Sequence, residues 1–133
     1  MRYFKLIEFT ASATARDLDI DNTPSKEAIE NIEALVSKVL DPLRDAFGKP
    51  IYVRSGYRSV DLNMAVGGVK NSQHIKGEAA DITANSREDN QWLFEYIRDH
   101  LDYDQLIDEY NYSWVHVSAK ADGCNRRDII HER

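Results

Sequence analysis

The chain has 133 residues, 42% of them hydrophobic and 30% charged, with a formal net charge of -6. That length fits one domain, here taken as residues 1–133, able to bury a core without disulfides, and the balance is that of a folded chain rather than a disordered one. The acidic surplus argues against nucleic acid as a partner, because phosphates demand a basic face. The lone cysteine, Cys124, excludes an intrachain disulfide and a zinc site built from cysteines.

Met1 to Glu8 holds no apolar run long enough for a signal peptide, and no stretch reaches the roughly 20 apolar residues of a membrane span. Synthesis in the cytoplasm without a signal peptide is therefore expected, and action elsewhere would need another route of release. The first 24 residues are mixed. Asp21-Asn22-Thr23-Pro24 reads as a helix start, with Thr23 as cap and Pro24 at the first helical position. From there Ile29, Ile32, Val36, Val39, Leu43 and Phe47 recur at helical spacing, widened by Leu35 and Leu40. Pro42 should kink or restart this helix near Asp41, and Gly48 should stop it.

Ile51-Tyr52-Val53 is a short β-prone run. Ser55 to about Gly77 reads as a long polar loop, a length that in compact domains is usually functional or disordered. Ala79 to Thr83 reads as a strand. Ser86, with Asp89 three residues on, resembles a capping box opening a helix that carries Trp92, Leu93, Tyr96, Ile97 and Leu101 on one side. Gln105 to Glu109 and Trp114 to Ser118 read as strands joined through Tyr110-Asn111-Tyr112-Ser113. The tail Asn125-Arg126-Arg127-Asp128 reads as a solvated end segment, and His100 and His131 as structural or solvent-facing. The expected class is α+β, with helices packed on a small, mostly antiparallel sheet.

Three residues in this layout carry chemistry. His74 lies in the polar loop, whereas Asp81 and His116 sit inside apolar strands. A carboxylate or imidazole in such a strand is costly unless it is hydrogen-bonded, paired or bound to a metal. Singly, each has an ordinary explanation as a core histidine or an ion-pair partner. Together they make a His₂Asp set, and three protein ligands with a fourth position open is the arrangement of a catalytic zinc site. Imidazole and carboxylate also accept other divalent ions.

The order Ser55-Gly56-Tyr57-Arg58-Ser59, Asn63, Gly67-Gly68, Ser72-x-His74-x-x-Gly77-x-Ala79-x-Asp81 and Trp114-Val115-His116-Val117 resembles the zinc D-alanyl-D-alanine carboxypeptidase family, which includes cell-wall endopeptidases and phage lysins. The resemblance runs from about Tyr3 to Ser118. It implies one zinc ion per chain held by His74, Asp81 and His116. It also implies an Arg58 that faces the cleft and stabilises a developing oxyanion or holds a substrate carboxylate, as a planar, permanently charged guanidinium can. Ser72 would contact substrate or orient the loop, and Gly56, Gly67, Gly68 and Gly77 would serve backbone geometry.

One position departs from the family pattern. Many members carry an acidic general base three residues before the last zinc histidine, where this chain has Ser113. A hairpin centred on Asn111-Tyr112 would pair Glu109 with Trp114 and Ile107 with His116. Side chains alternate faces, so Glu109 would share a face with His116 while Asp108 pointed away. Glu109 is thus the expected general base, and a one-residue register slip would transfer that role to Asp108.

The resemblance implies a peptidase, acting as a monomer, that hydrolyses amide bonds in peptidoglycan stem peptides, of carboxypeptidase or endopeptidase type. The missing export signal would suit a phage or prophage lysis protein acting on the cell wall after release. Two other readings stand beside it. One is a zinc-containing cell-wall binding module that has lost catalysis, motivated by Ser113; the other is an intracellular dipeptidase acting on free D-alanyl-D-alanine.

Overall fold

The computed structural model describes Met1–Arg133 and shows the mixed N-terminal stretch as two single-turn helices, α1 (Leu6–Thr10) and α2 (Ala13–Asp17). They bury little beyond Phe9 and Ala15, too few residues to leave a periodic signature. The long helix that follows, α3 (Lys26–Leu35), starts two residues later than Thr23 predicts. Asp21 explains the delay. Its carboxylate accepts from both the N–H and the hydroxyl of Thr23, closing a turn, and Ser25 becomes the cap by accepting from Ala28 N–H.

Pro42 acts as expected, through a specific device. A π-helical turn, Val36–Leu40, absorbs one extra residue so that Asp41 N–H reaches Val36 O. The chain then re-enters α4 (Asp41–Phe47) with Pro42 in its first turn, where a proline needs no N–H. Gly48 ends α4 in the left-handed conformation, at φ +74°.

Strand β1 (Tyr52–Ser55) follows, and the segment read as one long loop contains helix α5 (Val60–Ala65), capped by the Ser59 hydroxyl. Next come β2 (Ala79–Thr83) and α6 (Arg87–His100), whose first turn is capped by Ser86 accepting from Asp89 N–H. Leu93, Phe94 and Ile97 form the buried side of α6, whereas Trp92 stacks on Tyr96 and packs against Phe47 nearer the surface. Strands β3 (Gln105–Glu109) and β4 (Trp114–Ser118) have the predicted limits, and their register pairs Glu109 with Trp114 and Ile107 with His116. The predicted solvated tail is corrected in part: Asp128–His131 is strand β5, parallel to β3.

The sheet order is β1-β2-β4-β3-β5, antiparallel except at β3–β5. Alternation divides it into two faces. Ala80, Ile82, Leu106, Val115 and Val117 pack against Ile32, Leu35, Val36, Val39, Leu40 and Leu43 of the α3–α4 rod and against α6. The intervening residues Asp81, His116, Ile107 and Glu109 point to the other face and line a cleft of about 650 Å³. No helix is long and apolar enough to cross a membrane.

Two aspartates at β3 are fully buried, and both are neutralised from the tail. Asp104 accepts from Arg126 through its backbone N–H, Nε and Nη2, while Asp108 is paired with Arg133 and His131 and accepts from Tyr112 N–H. Burial alone would raise both carboxyl pKa values, but these partners outweigh it and hold them below the usual range. A depressed folded-state pKa stabilises at pH values above the unfolded one, about 3.9, and that contribution is lost as pH falls through the folded value. The melting temperature is therefore expected to fall steeply below about pH 4 and less steeply in Asp104→Asn, as scanning calorimetry across the acid range would show.

Candidate metal centre

The centre is assembled from two adjacent strands and one loop. Asp81 and His116 are cross-strand partners in the β2–β4 ladder, so their side chains emerge side by side on the cleft face. His74 arrives from the loop before β2, fixed at three points. Its N–H donates to the Ser72 hydroxyl at 3.2 Å, its carbonyl accepts from Arg58 N–H at 3.0 Å, and its ring Nδ1 donates to the Gly56 carbonyl at 2.6 Å. The last bond fixes the ring and leaves Nε2, 3.4 Å from Asp81, as the nitrogen available to a metal ion.

Gly56 must be glycine for this contact. A Cβ there would meet the Phe9 backbone at 2.7 Å, so β1 and α1 could not approach closely enough to present the carbonyl. A Cβ on Gly68 would clash with the Asn63 carboxamide, which accepts from Arg58 Nη1.

The three buried side chains converge, with one ligand atom from each lying within 4.8 Å of the others. Asp81 Oδ1 is 3.4 Å from His74 Nε2 and 3.0 Å from His116 Nδ1. In tetrahedral coordination with bonds of about 2.0–2.1 Å, neighbouring ligand atoms lie about 3.3–3.4 Å apart, close to both separations. The His116 ring carries a buried Nε2 without a hydrogen-bond partner. Two imidazoles turned onto one carboxylate oxygen form a donor set that a divalent cation fits. Burial alone would raise the Asp81 pKa, but hydrogen bonds and charge from His116 and His74 hold it well below the usual range.

Arg58 lines the same cleft, with Nη2 3.6 Å from Asp81 Oδ2, while its Nε and Nη1 donate to Ser55 and Asn63. Ser72 is buried, and its hydroxyl accepts from His74 N–H. Ser113, three residues before His116, is tied into the hairpin turn: its hydroxyl donates to Tyr110 O and accepts from Arg87. Tyr110, Asn111 and Tyr112 all adopt positive φ in that turn. Asp108, Glu132, Arg87 and Asn90 take up the backbone groups that this conformation frees.

Glu109 faces the cleft and Asp108 does not. The Glu109 carboxyl is pushed up to about 8, first by burial, then by contact with Glu132 and by the charges of Asp81 and Asp108. Glu132 and Arg126, both from the tail, also line the cleft. Sequence reasoning missed them because nothing local marks β5 as a strand that returns to the site.

The peptidase M15 family model matches residues 2–118. A zinc D-Ala-D-Ala carboxypeptidase of Streptomyces albus G is 51% identical over 49 residues, which span 36% of this chain and 19% of that protein.

Proposed function

This chain belongs to the peptidase M15 family, and we propose that it is a zinc metallopeptidase that hydrolyses an amide bond in the stem peptides of bacterial peptidoglycan. The observation that carries the reading is the convergence of His74, Asp81 and His116 on the floor of a cleft that also holds Arg58 and Glu109. The likeness to a zinc D-Ala-D-Ala carboxypeptidase supports the choice of substrate.

His74, Asp81 and His116 would hold the zinc. When bound, zinc polarises a carbonyl and makes water a nucleophile at neutral pH. The chain's own groups would do the rest. The Gly56 carbonyl holds the His74 ring, and the Arg58 guanidinium balances Asp81 while offering donors to a developing oxyanion or a substrate carboxylate. Glu109, on the cleft face beside β4, would take a proton from the attacking water and return it to the leaving amine. Ser72 would keep the His74 loop in place or touch substrate, and the protein would act as a monomer on the cell wall.

Digestion of purified peptidoglycan by the zinc-loaded protein, read by mass spectrometry of the released peptides, tests the proposal. New peptide termini that disappear with a chelator are expected, and their positions separate carboxypeptidase from endopeptidase action. Retention on cell wall without cleavage would replace the peptidase by a binding module. Cleavage of free D-alanyl-D-alanine alone would replace the wall by a dipeptide.

A further inference from the structure

The cleft holds a second guanidinium, from a segment beyond the family-matched residues. Arg126 lies in the tail before β5, whereas Arg58 follows β1, so the two enter the cleft from opposite edges of the sheet. Their surroundings differ. Arg58 has only 17% of its side chain exposed; its Nε and Nη1 donate to Ser55 and Asn63, and its Nη2 lies 3.6 Å from Asp81 Oδ2. Arg126 has 55% of its side chain exposed, and its hydrogen bonds use only the backbone N–H, Nε and Nη2, all on Asp104.

That attachment fixes the guanidinium in place. Asp104 is fully buried and also accepts from Gln73 Nε2 at 2.6 Å, which ties Arg126 to the residue next to His74. An arginine fork carries five donors; with the Nε edge committed to Asp104, the Nη1 end remains for a second, planar acceptor. The other charges toward this side of the cleft, Glu109 and Glu132, are both acidic. An anionic group of a substrate would be repelled by them and drawn to Arg126.

We propose that Arg126 is a carboxylate-binding group of the cleft, which holds an internal carboxylate of the substrate peptide away from the bond that is cut. The inference rests on the stem-peptide reading of the cleft and extends it: the preferred substrate carries a free carboxylate at that internal position rather than a carboxamide. The segment responsible lies outside residues 2–118, so the preference is a property of this chain's tail.

Calorimetric binding to the zinc-loaded protein tests this without requiring turnover. The probes are two stem peptides that differ only in whether the internal carboxylate is free or amidated. The unaltered protein is expected to bind the acid about tenfold or more tightly than the amide. Asp104→Asn/Arg126→Gln removes the buried pair together while leaving an acceptor for Gln73, and should bring the two affinities within about twofold of each other. Arg126→Lys keeps a charge beside Asp104 but loses the fork, and should weaken the acid alone by several-fold, about three to ten. Zinc content and melting temperature show that each variant is folded, and if the double variant is not, the lysine variant decides.

Equal affinity for both peptides in the unaltered protein, unchanged discrimination in the folded variants, or binding of neither peptide would each overturn the inference. Discrimination that depends on Arg126, in a protein that cleaves no stem peptide, would uphold this subsite and remove the peptidase reading. Cleavage without discrimination would do the reverse.

Discussion

His116→Ala is expected to abolish zinc binding and, with it, hydrolysis. The unaltered protein should hold about one zinc per chain by elemental analysis, and the variant none after the same loading and dialysis. Three buried ligand atoms within 4.8 Å define the site, and alanine leaves one imidazole and one carboxylate. Polarisation by a bound metal is worth several kcal/mol of transition-state stabilisation, so loss of the ion should lower kcat/KM by at least about a thousandfold. Metal that binds only the folded state also stabilises it, by about 2.7 kcal/mol at a hundredfold excess over Kd. The unaltered protein should therefore melt higher with zinc than with a chelator, and the variant should melt alike in both. His74→Ala provides an independent check on another element. No zinc in the unaltered protein, even after loading, would remove the metal centre and the peptidase reading together.

The parts of this centre that were legible in the sequence are those whose geometry is local. Gln105–Glu109 alternates between buried and half-buried residues, whereas Ala79–Thr83 and Trp114–Ser118 are buried almost throughout, with one polar side chain set inside an apolar run. Their polar members Asp81 and His116 stood out for that reason, and the turn between β3 and β4 fixed a register that separates Glu109 from Asp108. Helix α5 escaped notice because Val60 and Met64 lie exposed, which leaves Leu62 and Asn63 as its buried residues and no apolar stripe to read.

The tail escaped for a different reason. Asp128–His131 pairs in parallel with a strand more than twenty residues earlier, and its neighbours are the charged residues Arg126, Arg127, Glu132 and Arg133. Those charges resemble a solvated end until Asp104 and Asp108 are seen to be buried. Each aspartate needs a cation that only the returning chain supplies. Local alternation places Asp108 on the core side but cannot name its partner. The same blindness hid Glu132 and Arg126 from the cleft.

Glu109→Gln and Asp108→Asn should fail in different ways, although the two residues are adjacent. Glu109 lines the cleft, and removal of a general base typically lowers rate by about 10²–10⁴-fold. Glu109→Gln should therefore lose kcat by that order while keeping zinc content and melting temperature. Asp108 is fully buried on the other face, where it anchors Tyr112 N–H, His131 and Arg133. Asp108→Asn should cost stability, about 1.5–3 kcal/mol for lost charged hydrogen bonds, and leave kcat within a few-fold of the unaltered enzyme. Equal loss of kcat in both would mean that the turn, rather than a base, is what the chemistry depends on.

The pH profile sharpens the test. A base must be ionised, so the rate should rise with pH through the Glu109 pKa. In the protein alone that value is pushed up to about 8, by burial first and then by Glu132, Asp81 and Asp108. A cation held by His74, Asp81 and His116 favours the carboxylate and moves the acidic limb of kcat/KM below that value. Glu132→Gln removes the nearest like charge, so the limb should move further toward acid while the plateau rate stays close to its original height. A limb that ignores Glu132 would place the titrating base elsewhere in the cleft. Glu109 would then be a half-buried carboxyl of the hairpin.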